Sequence, residues 1–166
     1  MKKFTLATLL IVALSAILVF AAAKPNFTGT WLMDKSRTEG VPQGVEQIMT
    51  LTQTEDKLVL QNKITTDAGE NVVNDTYIIN GKEVEFTQKV NEQESRGKRT
   101  SKWLADGSGF ESTEQLTREA SDGTKIEQQV TRRWVMGADG KTFTVEMTIN
   151  GPNGTTQTKR TFVKKS

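Results

Sequence analysis

The sequence predicts an all-β protein, an antiparallel up-and-down meander of about eight to ten strands that closes into a barrel. Three observations carry this. Apolar and polar residues alternate with period two in stretch after stretch: Phe143, Val145, Met147 and Ile149 against Thr144, Glu146 and Thr148 is one case. Gly beside Asn or Asp recurs between the stretches, as tight hairpins require. No segment after the first 23 residues shows a helical period.

Residues 1–23 read as an export signal. Lys2 and Lys3 form a basic start, Phe4 to Phe20 an apolar run, and Ala21-Ala22-Ala23 a small-residue cleavage site. The competing reading is an uncleaved anchor, for which a run of 17 residues is short against the ~20 a span needs. A single domain, 24–166, follows. Its strands are expected near 27–35, 46–54, 57–66, 71–80, 82–91, 98–105, 109–119, 124–136, 141–150 and 155–165. Asn80-Gly81 is the strongest two-residue hairpin signal, and Ser95-Arg96-Gly97 reads as a weaker turn. Ser36 to Gly44 contains Gly40, Pro42 and Gly44 and leaves room for one helical turn at most. An all-antiparallel meander must deal with its two edges, and closure does so. Asn62, Gln88, Gln128 and Arg132 fall on the inner face, which suits a partly hydrated cavity better than a solid core.

Composition narrows the chemistry. The chain has no Cys and no His, which removes disulfides, thiol nucleophiles, imidazole general bases and the usual transition-metal ligands. No cofactor and no metal is expected. The leader holds two basic and no acidic residues, so 24–166 carries 20 of each and is formally neutral. A nucleic-acid partner loses its main support. A membrane-spanning barrel needs an outward apolar band and aromatic girdles. Here the outward positions carry Glu, Gln, Lys and Thr, and 24–166 has only nine aromatics. Glu83 with Glu85, and Glu92 with Glu94, are the carboxylate pairs that glycoside chemistry would need. Glu83 and Glu85 alternate against Val84 and Phe86, so they face solvent. No catalytic residue is assigned and an enzyme is not expected.

The first strand, Phe27-Thr28-Gly29-Thr30-Trp31-Leu32-Met33, resembles the opening Gly-x-Trp strand of the calycin superfamily, the lipocalins and fatty-acid-binding proteins. The last strand, with Arg160-Thr161-Phe162-Val163-Lys164, is similar to the terminal Arg-x-aromatic strand of the latter. The resemblance implies a calycin-like β-barrel in which Gly29, Trp31 and Arg160 are structural, with Arg160 lying on or near Trp31 to help close the barrel. It also implies a small-molecule carrier. Two departures stand out: the Ser36–Gly44 connection has no room for a helical lid, and Phe162 stands where a Tyr hydroxyl commonly helps hold a carboxylate.

The expected function is non-catalytic binding of a small apolar or amphipathic ligand, fatty-acid-like where anionic, in a bacterial periplasm or outside the cell, by a monomer. The expected ligand-binding residues are Arg132, Trp134, Phe86, Phe143, Met147 and Tyr77, with Phe27 and Trp31 as further apolar wall. If alternation holds, Arg132 points inward. There it either meets an anionic head group or pairs with an inner carboxylate such as Glu114; a register shift would put it outside. The alternative function is a protein-interaction or inhibitor-type barrel, filled inside. Ile48, opposite in face to Met49 and Leu51, makes one strand apolar on both faces and hints at such a surface.

Overall fold

The computed structural model describes residues 23–90, 93–119 and 123–165. The export signal expected at 1–23 lies outside the described residues apart from Ala23. Ten strands follow one another in antiparallel order: β1 (Gly29–Met33), β2 (Glu46–Thr54), β3 (Lys57–Thr66), β4 (Gly69–Ile78), β5 (Glu83–Val90), β6 (Gln93–Trp103), β7 (Gly109–Glu119), β8 (Lys125–Met136), β9 (Thr142–Gly151) and β10 (Gly154–Lys164). They form one sheet in the order β4-β3-β2-β1-β10-β9-β8-β7-β6-β5. The first strand pairs with the last, Trp31 opposite Lys164 and Met33 opposite Phe162, so the sheet curls round on itself. The barrel is closed everywhere except between β4 and β5, which share no ladder.

That seam corrects the hairpin expected at Asn80-Gly81. The local turn chemistry is present: Gly81 has φ +76°, and the Asn80 side chain accepts from Lys82 N. Its backbone bonds, however, go sideways. Ile79 N donates to Asp56 O and Gly81 N to Ser101 O. The turn is thus pinned to the β2–β3 corner and to β6, and the strands on either side of it diverge.

The expected turn at Ser95-Arg96-Gly97 is also corrected, because these residues lie inside β6. Gly97 is small for packing rather than for turning: a Cβ there would sit 2.1 Å from Gln115 O on β7. Phe86, its partner across the ladder, occupies the facing position on β5. The connection after β1 holds a single 3₁₀ turn, Lys35–Arg37. Backbone bonds between Glu39 and Lys159 then tie it down against β10.

One end of the barrel is solid. Phe110, Trp134, Phe143 and Phe162, from β7 to β10, stack ring on ring at 5.3, 5.6 and 4.9 Å between centroids. Phe27 meets Phe110, Trp134 and Phe143 edge-on from below, and the Trp31 indole N–H donates to Phe27 O. Each such ring pair adds about 0.5–1.5 kcal/mol beyond its buried area. Leu51, Leu58, Tyr77 and Ile79 complete this core. Strand directions place the hairpins after β3 and β9 at the other end, where polar inner residues replace the rings.

Candidate functional site

Above the aromatic floor the inner faces of β2, β3, β4, β5, β8, β9 and β10 line a cavity of about 220 Å³. Tyr77, Trp134, Val145 and Leu60 form its apolar lower wall, and Met147, Asn62, Gln88 and Thr158 lie among its other wall residues. This volume falls below the ~300–1,000 Å³ usual for sites that engulf a drug-sized ligand.

Asp75, Arg132 and Arg160 bring charge into this wall, and Arg99 and Glu114 lie buried behind it. Arg99 on β6 is fully buried, its guanidinium 4.2 Å from the Tyr77 ring centre and 4.0 Å from that of Phe86. Its Nη1 and Nη2 donate to the two Asp75 oxygens at 2.8 and 2.7 Å, and Nη1 also donates to Thr76 O. Its Nε donates to Glu114 at 2.9 Å. The second Glu114 oxygen forms a close ion pair, 2.5 Å, with Arg132 Nη1. Burial by itself drives the Arg99 and Arg132 guanidiniums toward neutrality. For Arg99 the Asp75 hydrogen bond and the charges around it outweigh that effect, and for Arg132 the Tyr77 and Glu114 interactions do, so both are held above their ordinary values. Burial raises the Tyr77 hydroxyl well above its ordinary value.

Arg160 is different. It reaches into the cavity from β10 and donates through Nη1 to Gln47 Oε1 at 2.7 Å. Gln47, itself buried, passes the link on by donating to Asn62 at 2.8 Å. The Arg160 Nε is buried without a partner. Burial, and then the nearby Arg132 charge, hold this guanidinium below its ordinary value. No carboxylate answers it among the described residues.

The site residues expected from sequence separate by height along the barrel, and Phe27, expected as cavity wall, lies in the floor. Arg132, Trp134, Met147 and Tyr77 line the cavity together. Arg132 points inward and is paired with Glu114, as one of the two open readings had it. Phe143 lies lower, in the stacked floor, and Phe86 stands at the seam against Arg99. Trp31 belongs to the floor. The expected Arg160–Trp31 contact is corrected: the cation over Trp31 is Lys164, 5.2 Å from the ring centre. A Cβ on Gly29 would meet Lys164 Cε at 2.8 Å, so the glycine makes room for that lysine. Arg99, Asp75, Gln47 and Thr158 were not singled out from sequence. Their inward parity on β6, β4, β2 and β10 was the available signal.

The ten-strand antiparallel barrel, nearly closed around a cavity of mixed apolar and polar lining, has the calycin-type fold. It superimposes on the crystal structure of the zebrafish ileal bile acid-binding protein complexed with cholic acid, with a TM-score of 0.51 and 18% sequence identity, covering 84% of this chain and 98% of that one. No protein-family model and no curated protein matches the sequence.

Proposed function

We propose that this is an exported, non-catalytic carrier that binds a small amphipathic anion head-first in the cavity. The observation that carries the reading is Arg160: a largely buried cation in the cavity wall, joined to neutral Gln47, with a donor left over. A desolvated guanidinium is costly until an acceptor meets it, and a carboxylate or sulfonate does so with charge-assisted hydrogen bonds. Trp134, Val145 and Met147 offer apolar surface for the first part of a tail. The small volume implies that a longer tail leaves through the polar end, where the short connection after β1 carries no helical lid. The structural neighbour, a bile acid-binding protein by its name, supports this choice of ligand class. The leader read at 1–23 supports a periplasmic or extracellular location for a monomeric carrier.

The test is calorimetric titration of residues 24–166 with decanoate and with decyl sulfate, alongside the Arg160→Gln variant. The expected result is saturable binding that weakens about ten- to hundredfold in the variant, the worth of a charged hydrogen bond. Absence of binding to the wild-type protein overturns the reading.

A further inference from the structure

The charges of the cavity wall do not simply sum to a basic patch. Asp75, Arg99, Glu114 and Arg132 form, in that order, a linear quartet of two carboxylates and two guanidiniums. Asp75 is taken by both terminal nitrogens of Arg99. Glu114 is divided, one oxygen to Arg99 and the other to Arg132, and is completely buried. Arg160 stands outside the quartet, bonded to an uncharged amide. Among the described residues around the cavity, the surplus is therefore one positive charge.

Resting on the anion-carrier reading, we propose that Glu114 is the specificity-determining residue of this cavity, and that it restricts the site to ligands bearing a single negative charge. Glu114 keeps Arg132 neutralised, so one anionic charge satisfies Arg160. A second would enter a low-dielectric wall where every other cation already has its partner, and would face the Glu114 carboxylate through Arg132. Uncompensated buried charge is the most expensive group to place in such a wall. Glu114 acts through Arg132 and Arg160 without needing to touch the ligand.

The absence of His and Cys makes this easy to read. A phosphate monoester passes from monoanion to dianion near pH 6, in a range where the protein has no side chain of ordinary pKa to titrate. Decyl phosphate and decyl sulfate share a tail and a tetrahedral head, and the sulfate stays a monoanion throughout. The experiment is calorimetric titration of both ligands at pH 5 and pH 8.

For the wild-type protein, decyl sulfate should bind equally at both pH values. Decyl phosphate should weaken by about tenfold or more at pH 8. Glu114→Gln releases Arg132 and should abolish that weakening. The double variant Glu114→Gln/Arg132→Gln removes one charge of each sign and should keep the wild-type preference; a double variant that loses it overturns the assignment, whether or not the single variant folds. Equal binding of the phosphate dianion and the sulfate by wild type overturns the assignment while leaving the carrier reading standing. So does a folded Glu114→Gln that retains the preference. Failure of both ligands to bind wild type at either pH overturns the carrier reading and the assignment with it.

Discussion

Arg99 on β6 grips Asp75 on β4 with two parallel hydrogen bonds, 2.8 and 2.7 Å, across the seam where β4 and β5 exchange none. The same guanidinium caps an otherwise unclaimed strand-edge carbonyl, Thr76 O. A single side chain thus does locally what a ladder does elsewhere in the barrel. It spans from β4 past β5, whose Phe86 packs on its face, to Glu114 on β7.

Arg99→Ala should therefore be among the most destabilising single changes in the protein. It strands two buried carboxylates, and breaking a buried pair from one side costs about 3–5 kcal/mol. At roughly 2–4 °C per kcal/mol for a chain of this size, thermal melting should drop by about 6–20 °C. Arg99→Lys should recover only part of this, since an ammonium cannot supply the fork. A melting temperature within 2–3 °C of wild type for Arg99→Ala would show that the seam holds without it.

Arg99 also marks what the sequence could and could not convey. Alternation conveyed an antiparallel run of about eight to ten strands and the inward side of residues such as Arg132 and Trp134, because a two-residue period is a local property. It carries no information about height along the barrel axis. Phe143 and Met147 have the same parity, yet one belongs to the solid floor and the other to the cavity. Arg160 and Trp31 share the inner face too, but register puts Lys164 opposite Trp31. Arg160 lies four residues, about 13 Å, farther up its strand. The seam was illegible for a related reason: Asn80 and Gly81 build the tight turn their chemistry dictates, while long-range bonds to Asp56 and Ser101 decide that the flanking strands do not pair.

Two glycines separate turn chemistry from packing. Gly81 has φ +76° and open space around a would-be Cβ. Gly81→Ala should cost only about 1 kcal/mol, the strain of a left-handed backbone. Gly97 has no such φ, but its added Cβ would lie 2.1 Å from a β7 carbonyl. Gly97→Ala should push β6 and β7 apart, costing about 1–3 kcal/mol as an overpacked site does, or more. Urea denaturation of both variants checks the order. A larger loss at Gly81 would show that the close approach of Gly97 to β7 relaxes cheaply.

Gln47 positions Arg160, accepting from it while donating to Asn62. Gln47→Leu keeps the volume and removes the acceptor. It leaves Arg160 with one more unsatisfied donor, so stability should fall by about 1–3 kcal/mol. If Arg160 is the anion receptor, saturating decyl sulfate should recover more stability in Gln47→Leu than in Arg160→Gln. Equal recovery in the two variants, measured by thermal shift, would show that Arg160 is not the anion receptor.

Stability should be insensitive to pH between about 5 and 8, because no side chain of ordinary pKa titrates there in a protein without His or Cys. The change comes on the acid side. Hydrogen bonds from Ser36 and Arg37 hold the Asp34 carboxyl below its ordinary 3.8, and those from Lys24 and Trp103 do the same for Asp56. Backbone and side-chain donors of Ser108 lower Asp106, and Lys141 N with Thr142 lowers Asp139. A carboxyl with a depressed folded pKa binds its proton more readily in the unfolded chain. It therefore contributes stability above the unfolded value, and that contribution is lost as pH falls through the folded value. Melting temperature should accordingly stay flat from pH 8 to 5 and then decline below about pH 4. Asp56→Asn should blunt the acid decline, since one of the four groups that drive it no longer titrates. A melting curve that instead sloped steeply through pH 6–7 would overturn this expectation.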